Sequence, residues 1–153
     1  KLCDFGLAST VSSAEAKDLS GVCGTPPYMA PEMLGGESYS AKVDVWALGV
    51  LAYVLLFGAW PYAPPTLTSA AMKEAIRRGA PPNFGGRSSE CAEWVQSLLC
   101  REPAERLSAA EALRGCSLKP WCSSAPLDQA LAAAVRSGAF EQQAGHSTGV
   151  GRG

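Results

Sequence analysis

The chain has 153 residues, 47% hydrophobic and 18% charged, enough for one domain with a core of its own. Its net charge of -1 excludes a nucleic-acid or membrane-surface role that rests on bulk positive charge. The six cysteines form no C-x-x-C pair and the single histidine, His146, sits in a Gly-rich tail, so the spacing excludes a zinc site. Free thiols in a reducing, intracellular compartment are expected, with no secretory leader because no basic segment followed by an apolar run opens the chain.

In chain order, residues 1–9 are expected to form the end of one strand, a turn at Phe5-Gly6 and a second short strand. Residues 10–24, rich in Ser and carrying Glu15, Lys17 and Asp18, are expected to form a mobile loop. Pro31 suits the first turn of a brief helix that stops at Gly35-Gly36. The most apolar stretch runs from Val45 to Phe57 and ends at Gly58. It is shorter than the roughly 20 residues a membrane span requires. Being hydrophobic all round, it predicts a helix buried on every side. After a Pro-rich loop, Met72, Ala75 and Ile76 share one helical face and Gly79 closes that helix. Cys91, Trp94, Val95, Leu98 and Leu99 mark a further amphipathic helix, and Ser108 with Glu111 fits a capping box opening another. A last helix is expected over residues 126–137, followed by a disordered, Gly-rich end; no internal repeat is visible.

Two tripeptides carry the chemistry: Asp4-Phe5-Gly6 and, downstream, Ala30-Pro31-Glu32, joined through Gly24-Thr25-Pro26-Pro27-Tyr28-Met29. Their order and spacing resemble the activation segment of the eukaryotic-type protein kinases. Further matches are Asp44-Val45-Trp46-Ala47-Leu48-Gly49, similar to the family's Asp-x-Trp-Ser-x-Gly, and Arg106 within Glu105-Arg106-Leu107. Gly58-Ala59-Trp60-Pro61-Tyr62 resembles the Gly-x-x-Pro-Phe of the calcium/calmodulin-dependent kinase group. The resemblance extends to about Trp121, where Lys119-Pro120-Trp121 stands in place of the family's His-Pro-Trp.

The resemblance implies a mainly α fold, the helical C-lobe of a protein kinase with a short β-hairpin remnant at its N-terminus. Residues 1–122 would be a partial kinase domain and 123–153 a tail. The resemblance also assigns roles. Asp4 would be the ligand of Mg2+ on ATP, with Phe5 and Gly6 as the pivot of the activation segment and Ser20 as a phosphorylation site in it. Ser9, Thr10, Ser12 and Ser13 are further candidates for phosphorylation. Val22, Gly24, Thr25, Pro26 and Met29 would bind the substrate, Thr25 implying Ser or Thr as acceptor and the apolar members a hydrophobic residue after it. Pro27 stands where basophilic relatives carry an acidic residue, so upstream Arg is not implied. Glu32 and Arg106 would form a structural ion pair. Asp44 would support the catalytic loop, the alternative being a helix cap.

The Gly-rich nucleotide loop, the strand Lys and the His-Arg-Asp catalytic loop occur nowhere in these residues. The chain by itself is therefore expected to be inactive and, with its central helix uncovered, poorly soluble. As part of an intact enzyme it would serve transfer of the ATP γ-phosphate to Ser or Thr of protein substrates. The alternative function is a pseudokinase-like interaction module. Neither a nucleic-acid nor a membrane partner is expected, and oligomeric state is not legible.

Overall fold

Five α-helices and one 3-10 turn make up the regular structure of the computed structural model, which describes residues 5–66, 68–86 and 88–115. The helices are α1 (Pro31–Gly35), α2 (Lys42–Phe57), α3 (Ser69–Arg78), α4 (Ser89–Leu98) and α5 (Ala109–Gly115); the 3-10 turn is Pro26–Tyr28. The mainly helical character expected from the sequence holds. The second strand expected after Phe5-Gly6 does not form: a turn at Gly6-Leu7 leads into irregular chain, with Phe5 and Leu7 exposed. A strand needs a neighbour for its ladder hydrogen bonds, and residues 5–9 have none among the described residues. The first strand and the helix expected over 126–137 lie outside the described residues.

Helix α2 is the axis on which the others pack. It contacts the 3-10 turn, α4 and α5, while α3 contacts the 3-10 turn and α1. It begins at Lys42, earlier than the apolar run, because Val43 is also buried. Gly58 ends it with φ 68°, a left-handed conformation open to glycine, and donates its N–H to the Val54 carbonyl at 2.9 Å. The burial is one-sided, which corrects the expectation of a helix covered all round. Trp46, Val50 and Val54 have no exposure, whereas Leu48 and Leu51 are 43% and 42% exposed. Those two leucines lie on one helical face, and no described element covers them.

The capping rules account for the remaining helix starts. Thr68 Oγ1 accepts from the Ala71 N–H at 3.2 Å and Ser88 Oγ from the Cys91 N–H at 3.4 Å. The expected capping box forms in both directions: Ser108 N–H donates to Glu111 Oε2 at 2.7 Å, and Glu111 N–H to Ser108 Oγ at 3.3 Å. A second small core of Val45, Leu98 and Ala112 joins α2, α4 and α5.

Gly49 explains how α2 and α4 come so close. A Cβ placed there would lie 2.8 Å from Leu98 Cβ and 3.0 Å from Leu99 Cδ2, closer than carbon atoms tolerate. Gly49→Ala is therefore expected to destabilise the chain by about 1–3 kcal/mol through overpacking. Urea unfolding checks this, and an unchanged midpoint would show that the interface has slack.

Candidate functional site

The short loop of 24–29 is built by its prolines. Pro26 and Pro27 open the 3-10 turn, where missing N–H groups cost nothing because the first donors of a helical turn lack partners anyway. The turn closes with Tyr28 N–H on the Thr25 carbonyl at 3.0 Å and Met29 N–H on the Pro26 carbonyl at 3.2 Å. Tyr28 then meets Trp60 edge-on, ring centres 5.4 Å apart, and Met29 sinks into the core. Thr25 stands at the N-cap position, yet its hydroxyl makes no capping bond and it is exposed.

Beneath the loop lies a dense polar constellation. Glu32, in the first turn of α1, receives both arms of Arg106: Nη1 to Oε1 at 2.7 Å and Nη2 to Oε2 at 2.9 Å. Arg106 is 1% exposed. Its remaining donors go to backbone carbonyls, Nη1 to Lys42 at 3.0 Å, Nη2 to Arg101 at 3.4 Å and Nε to Cys100 at 2.8 Å. All five guanidinium N–H groups are thereby matched. The guanidinium also lies 5.1 Å above the Trp46 ring.

Two cations that the motifs did not single out complete this anchor. Lys42 Nζ donates to the carbonyls of Pro103 and Arg106, each at 2.8 Å, holding the chain before α5 against the start of α2. Arg101 Nε donates to the Ile76 carbonyl at 2.8 Å and Nη2 to that of Gly79 at 2.7 Å. It thus satisfies carbonyls at the C-terminal end of α3. Arg101 covers Tyr62 at 4.9 Å, and Tyr62 in turn stacks on Trp46 at 5.8 Å with ring planes 6° apart. The result is an alternating series of cation and ring, from Arg106 through Trp46 and Tyr62 to Arg101. No local sequence signal marks Lys42 or Arg101, because their partners are backbone carbonyls distant in sequence.

Above the anchor is a cleft of about 660 Å³. Ser20, Gly24, Thr25, Met29 and Asp44 all line it, together with Tyr39 and Ala47. Asp44 lies inside the first turn of α2, past the N-cap position that Ala41 holds, and is exposed. Val22 and Pro26 are not on the cleft wall; Val22 is half exposed and Pro26 half buried beside it. Phe5 and Gly6 also stand apart from the cleft, exposed, and Asp4 lies outside the described residues. Glu32 opens onto a separate cleft of about 530 Å³ shared with Lys42 and Arg101. Among the described residues, no group of three or more His, Cys, Asp and Glu could hold a metal ion, and no helix is long and apolar enough to cross a membrane. Among the described residues, Cys23, Cys91 and Cys100 take part in no disulfide.

The cleft's outer wall is tied down locally. Leu19 and Tyr39 exchange backbone hydrogen bonds at 3.2 and 2.8 Å, and the Tyr39 hydroxyl donates to the Ser20 carbonyl at 3.3 Å. Before them, Ser12 donates twice to Asp18 Oδ2, from Oγ at 2.6 Å and from its N–H at 2.7 Å. The side-chain bond, then the backbone bond, hold the Asp18 carboxyl below its ordinary 3.8. A carboxyl lowered on folding lends its contribution above the unfolded value and loses it as pH falls through the folded one. The Ser12–Asp18 contact is therefore intact at neutral pH and opens only below about 3.8. Amide proton shifts of Ser12 followed by NMR against pH would reveal it.

With Arg106→Ala, the Glu32 carboxylate is left half enclosed without its partner, at a cost of about 3–5 kcal/mol. Limited proteolysis is expected to cut faster across residues 20–35 in that variant. An unchanged cleavage pattern would separate the anchor from the loop above it.

Comparison with known proteins gives a match to the protein kinase domain family over residues 1–116. The chain is similar to serine/threonine-protein kinase DCLK3 of Homo sapiens, 36% identical over 129 residues, covering 82% of this chain and 19% of that protein. It is 36% identical over 117 residues to calcium/calmodulin-dependent protein kinase type I of Schizosaccharomyces pombe, covering 74% of this chain and 34% of the relative. Serine/threonine-protein kinase H1 of Mus musculus is 37% identical over 122 residues, with 77% of this chain and 27% of the relative covered. The chain thus spans about a third or less of the length of these relatives.

Proposed function

We propose, for a chain that belongs to the protein kinase family, that it supplies the activation segment and substrate shelf of a serine/threonine kinase acting on proteins. The observation that carries this reading is the uncommitted hydroxyl of Thr25 on the wall of the cleft, facing the same space as Asp44. A hydroxyl placed there by a rigid Pro-Pro turn can bond a catalytic group or an acceptor chain at no cost to the fold. Gly24 and Thr25 would bear the acceptor Ser or Thr, with Val22, Pro26 and Met29 offering apolar surface to the residue that follows it. Asp44 would accept hydrogen bonds from a catalytic loop, and Phe5 and Gly6 would pivot the segment.

Asp4 would hold Mg2+ on ATP. A lone carboxylate fits that ion, which is usually bound through one or two carboxylates together with phosphate oxygens, so no larger cluster of ligands is required. When bound, the ion neutralises charge on the phosphates. The chain's own residues fix the acceptor: the Glu32–Arg106 pair holds the floor, and the Pro26–Tyr28 turn sets the height of Thr25 above it. Phosphoryl transfer depends mainly on such positioning.

The test compares this chain with a polypeptide that joins it to a nucleotide-binding lobe and catalytic loop, using MgATP and Ser- or Tyr-containing peptides. The chain alone is expected to transfer no phosphate, and the joined polypeptide to phosphorylate the Ser peptide. Thr25→Val should lower that rate by about tenfold or more, the worth of one hydrogen bond to a charged group, while Thr25→Ser retains it. Asp4→Asn should abolish it. Full activity in Thr25→Val, or a joined polypeptide that folds and binds but transfers nothing, would favour the interaction module.

A further inference from the structure

The uncovered face of α2 is a stripe of three leucines with a charge at one end. Leu48, Leu51 and Leu55 follow one another at helical spacing, the first two exposed and Leu55 half-buried. None of the three belongs to either apolar cluster of the described residues. From Leu48 to Leu55 the stripe rises about 10.5 Å, at roughly 1.5 Å per residue. Asp44, one turn before Leu48 and exposed, sets a negative charge at its N-terminal end. A continuous apolar stripe of this kind favours a partner over water.

The chain that leaves α5 starts close by. Helix α5 ends at Gly115 and packs on both α2 and α4. Its last turn is pinned there: the Trp94 indole N–H donates to the Ala112 carbonyl at 3.1 Å, and Ala112 lies against Val45 of α2. Residues 116–153 lie outside the described residues, and their sequence holds one segment that matches the stripe. Leu127, Ala130, Leu131, Ala134 and Val135 stand at i, i+3, i+4, i+7 and i+8. As a helix, Leu127 to Val135 would rise about 12 Å, close to the length of the leucine stripe. Within residues 126–137 the charges are Asp128 near the start and Arg136 near the end. Residues 116–125 reach roughly 33–36 Å when extended, more than the about 15 Å along α2 from Val45 to Leu55.

We propose that residues 126–137 dock as a helix on the Leu48–Leu55 face of α2, antiparallel to it, with Leu131 against Leu51. Charge decides the direction. The antiparallel helix brings its Arg136 end to Asp44, whereas the parallel one brings Asp128 there, a carboxylate against a carboxylate. A second copy of the chain is the rival occupant, and the tether decides against it. A joined helix is present at an effective concentration on the order of millimolar, well above that of another chain in dilute solution. The poor solubility expected of an uncovered α2 then belongs to a chain whose tail is undocked. Asp44 is also the residue read above as the support of a catalytic loop, so a docked tail and that loop exclude one another. That consequence rests on the kinase reading; the docking itself does not.

The experiment puts p-benzoylphenylalanine in place of Leu51 in the full chain, irradiates it in dilute solution and locates the cross-link by mass spectrometry. A cross-link within one chain to residues 127–135 is expected. With the probe in place of Leu48 it should move toward Val135, and in place of Leu55 toward Leu127. Leu131→Asp should lower the yield several-fold and raise binding of a hydrophobic dye, while Leu131→Met changes neither. Cross-links between two chains, none to residues 127–135, or the reverse order of positions overturn the proposal. So does an unchanged yield in Leu131→Asp. No readout uses phosphoryl transfer, so a failed docking leaves the kinase reading standing, and an inactive joined polypeptide leaves the docking standing.

Discussion

A guanidinium with almost no solvent access must have every N–H matched, and that constraint organises this molecule. Arg106 meets it by drawing partners from three separate stretches: the Glu32 carboxylate in α1, the Lys42 carbonyl at the start of α2, and the Cys100 and Arg101 carbonyls of the chain after α4. Moving any one of these would strand a buried donor or a buried charge, either of which costs several kcal/mol. The pair is thus better understood as a device that fixes relative position than as a source of net stability. The stacked series through Trp46 and Tyr62 to Arg101 carries the same constraint to the end of α3.

The consequences for the cleft follow from distance along the chain. Glu32 sits a few residues after the Pro26–Tyr28 turn, with the buried Met29 and Ala30 between them. A rigid floor at Glu32 and a turn stiffened by two prolines leave little freedom for Thr25. The opposite wall is different in kind: residues 12–20 are held by exposed hydrogen bonds to Asp18 and by one bridge to Tyr39. Exposed bonds of this sort open readily, whereas the buried anchor opens only with the fold. One wall of the cleft is fixed and the other is adjustable.

Much of this was legible in the sequence because it is local. The helices after residue 68 follow from apolar residues at helical spacing and from Ser or Thr ahead of them, and α1 from Pro31 and the Gly pair that ends it. Glu32 and Arg106 were legible only through motif context, since nothing in their own neighbourhoods says that they meet. What stayed hidden depends on contacts between distant segments. Lys42 and Arg101 look like ordinary surface cations until the carbonyls they cap are known. Gly49 reads as a flaw in an apolar helix until Leu98 and Leu99 are placed against it. That α2 is open on one side was expected from the missing catalytic loop, but which of its residues stay uncovered was not legible, because an apolar residue looks the same whether or not a neighbour covers it. The strand expected after Phe5-Gly6 failed for a related reason: a local segment can suggest a strand, but only a pairing partner makes one.

The central claim is that Arg106 and Glu32 couple the loop of residues 24–29 to the helical core. A double-mutant cycle tests it most directly, with Glu32→Gln, Arg106→Lys and the double variant compared through amide hydrogen exchange of residues 28–33. The account predicts strong non-additivity, a coupling of about 1.5 kcal/mol or more, because each single change leaves a buried group without its match. Additive effects within about 0.5 kcal/mol would contradict it and show that loop and core are held independently.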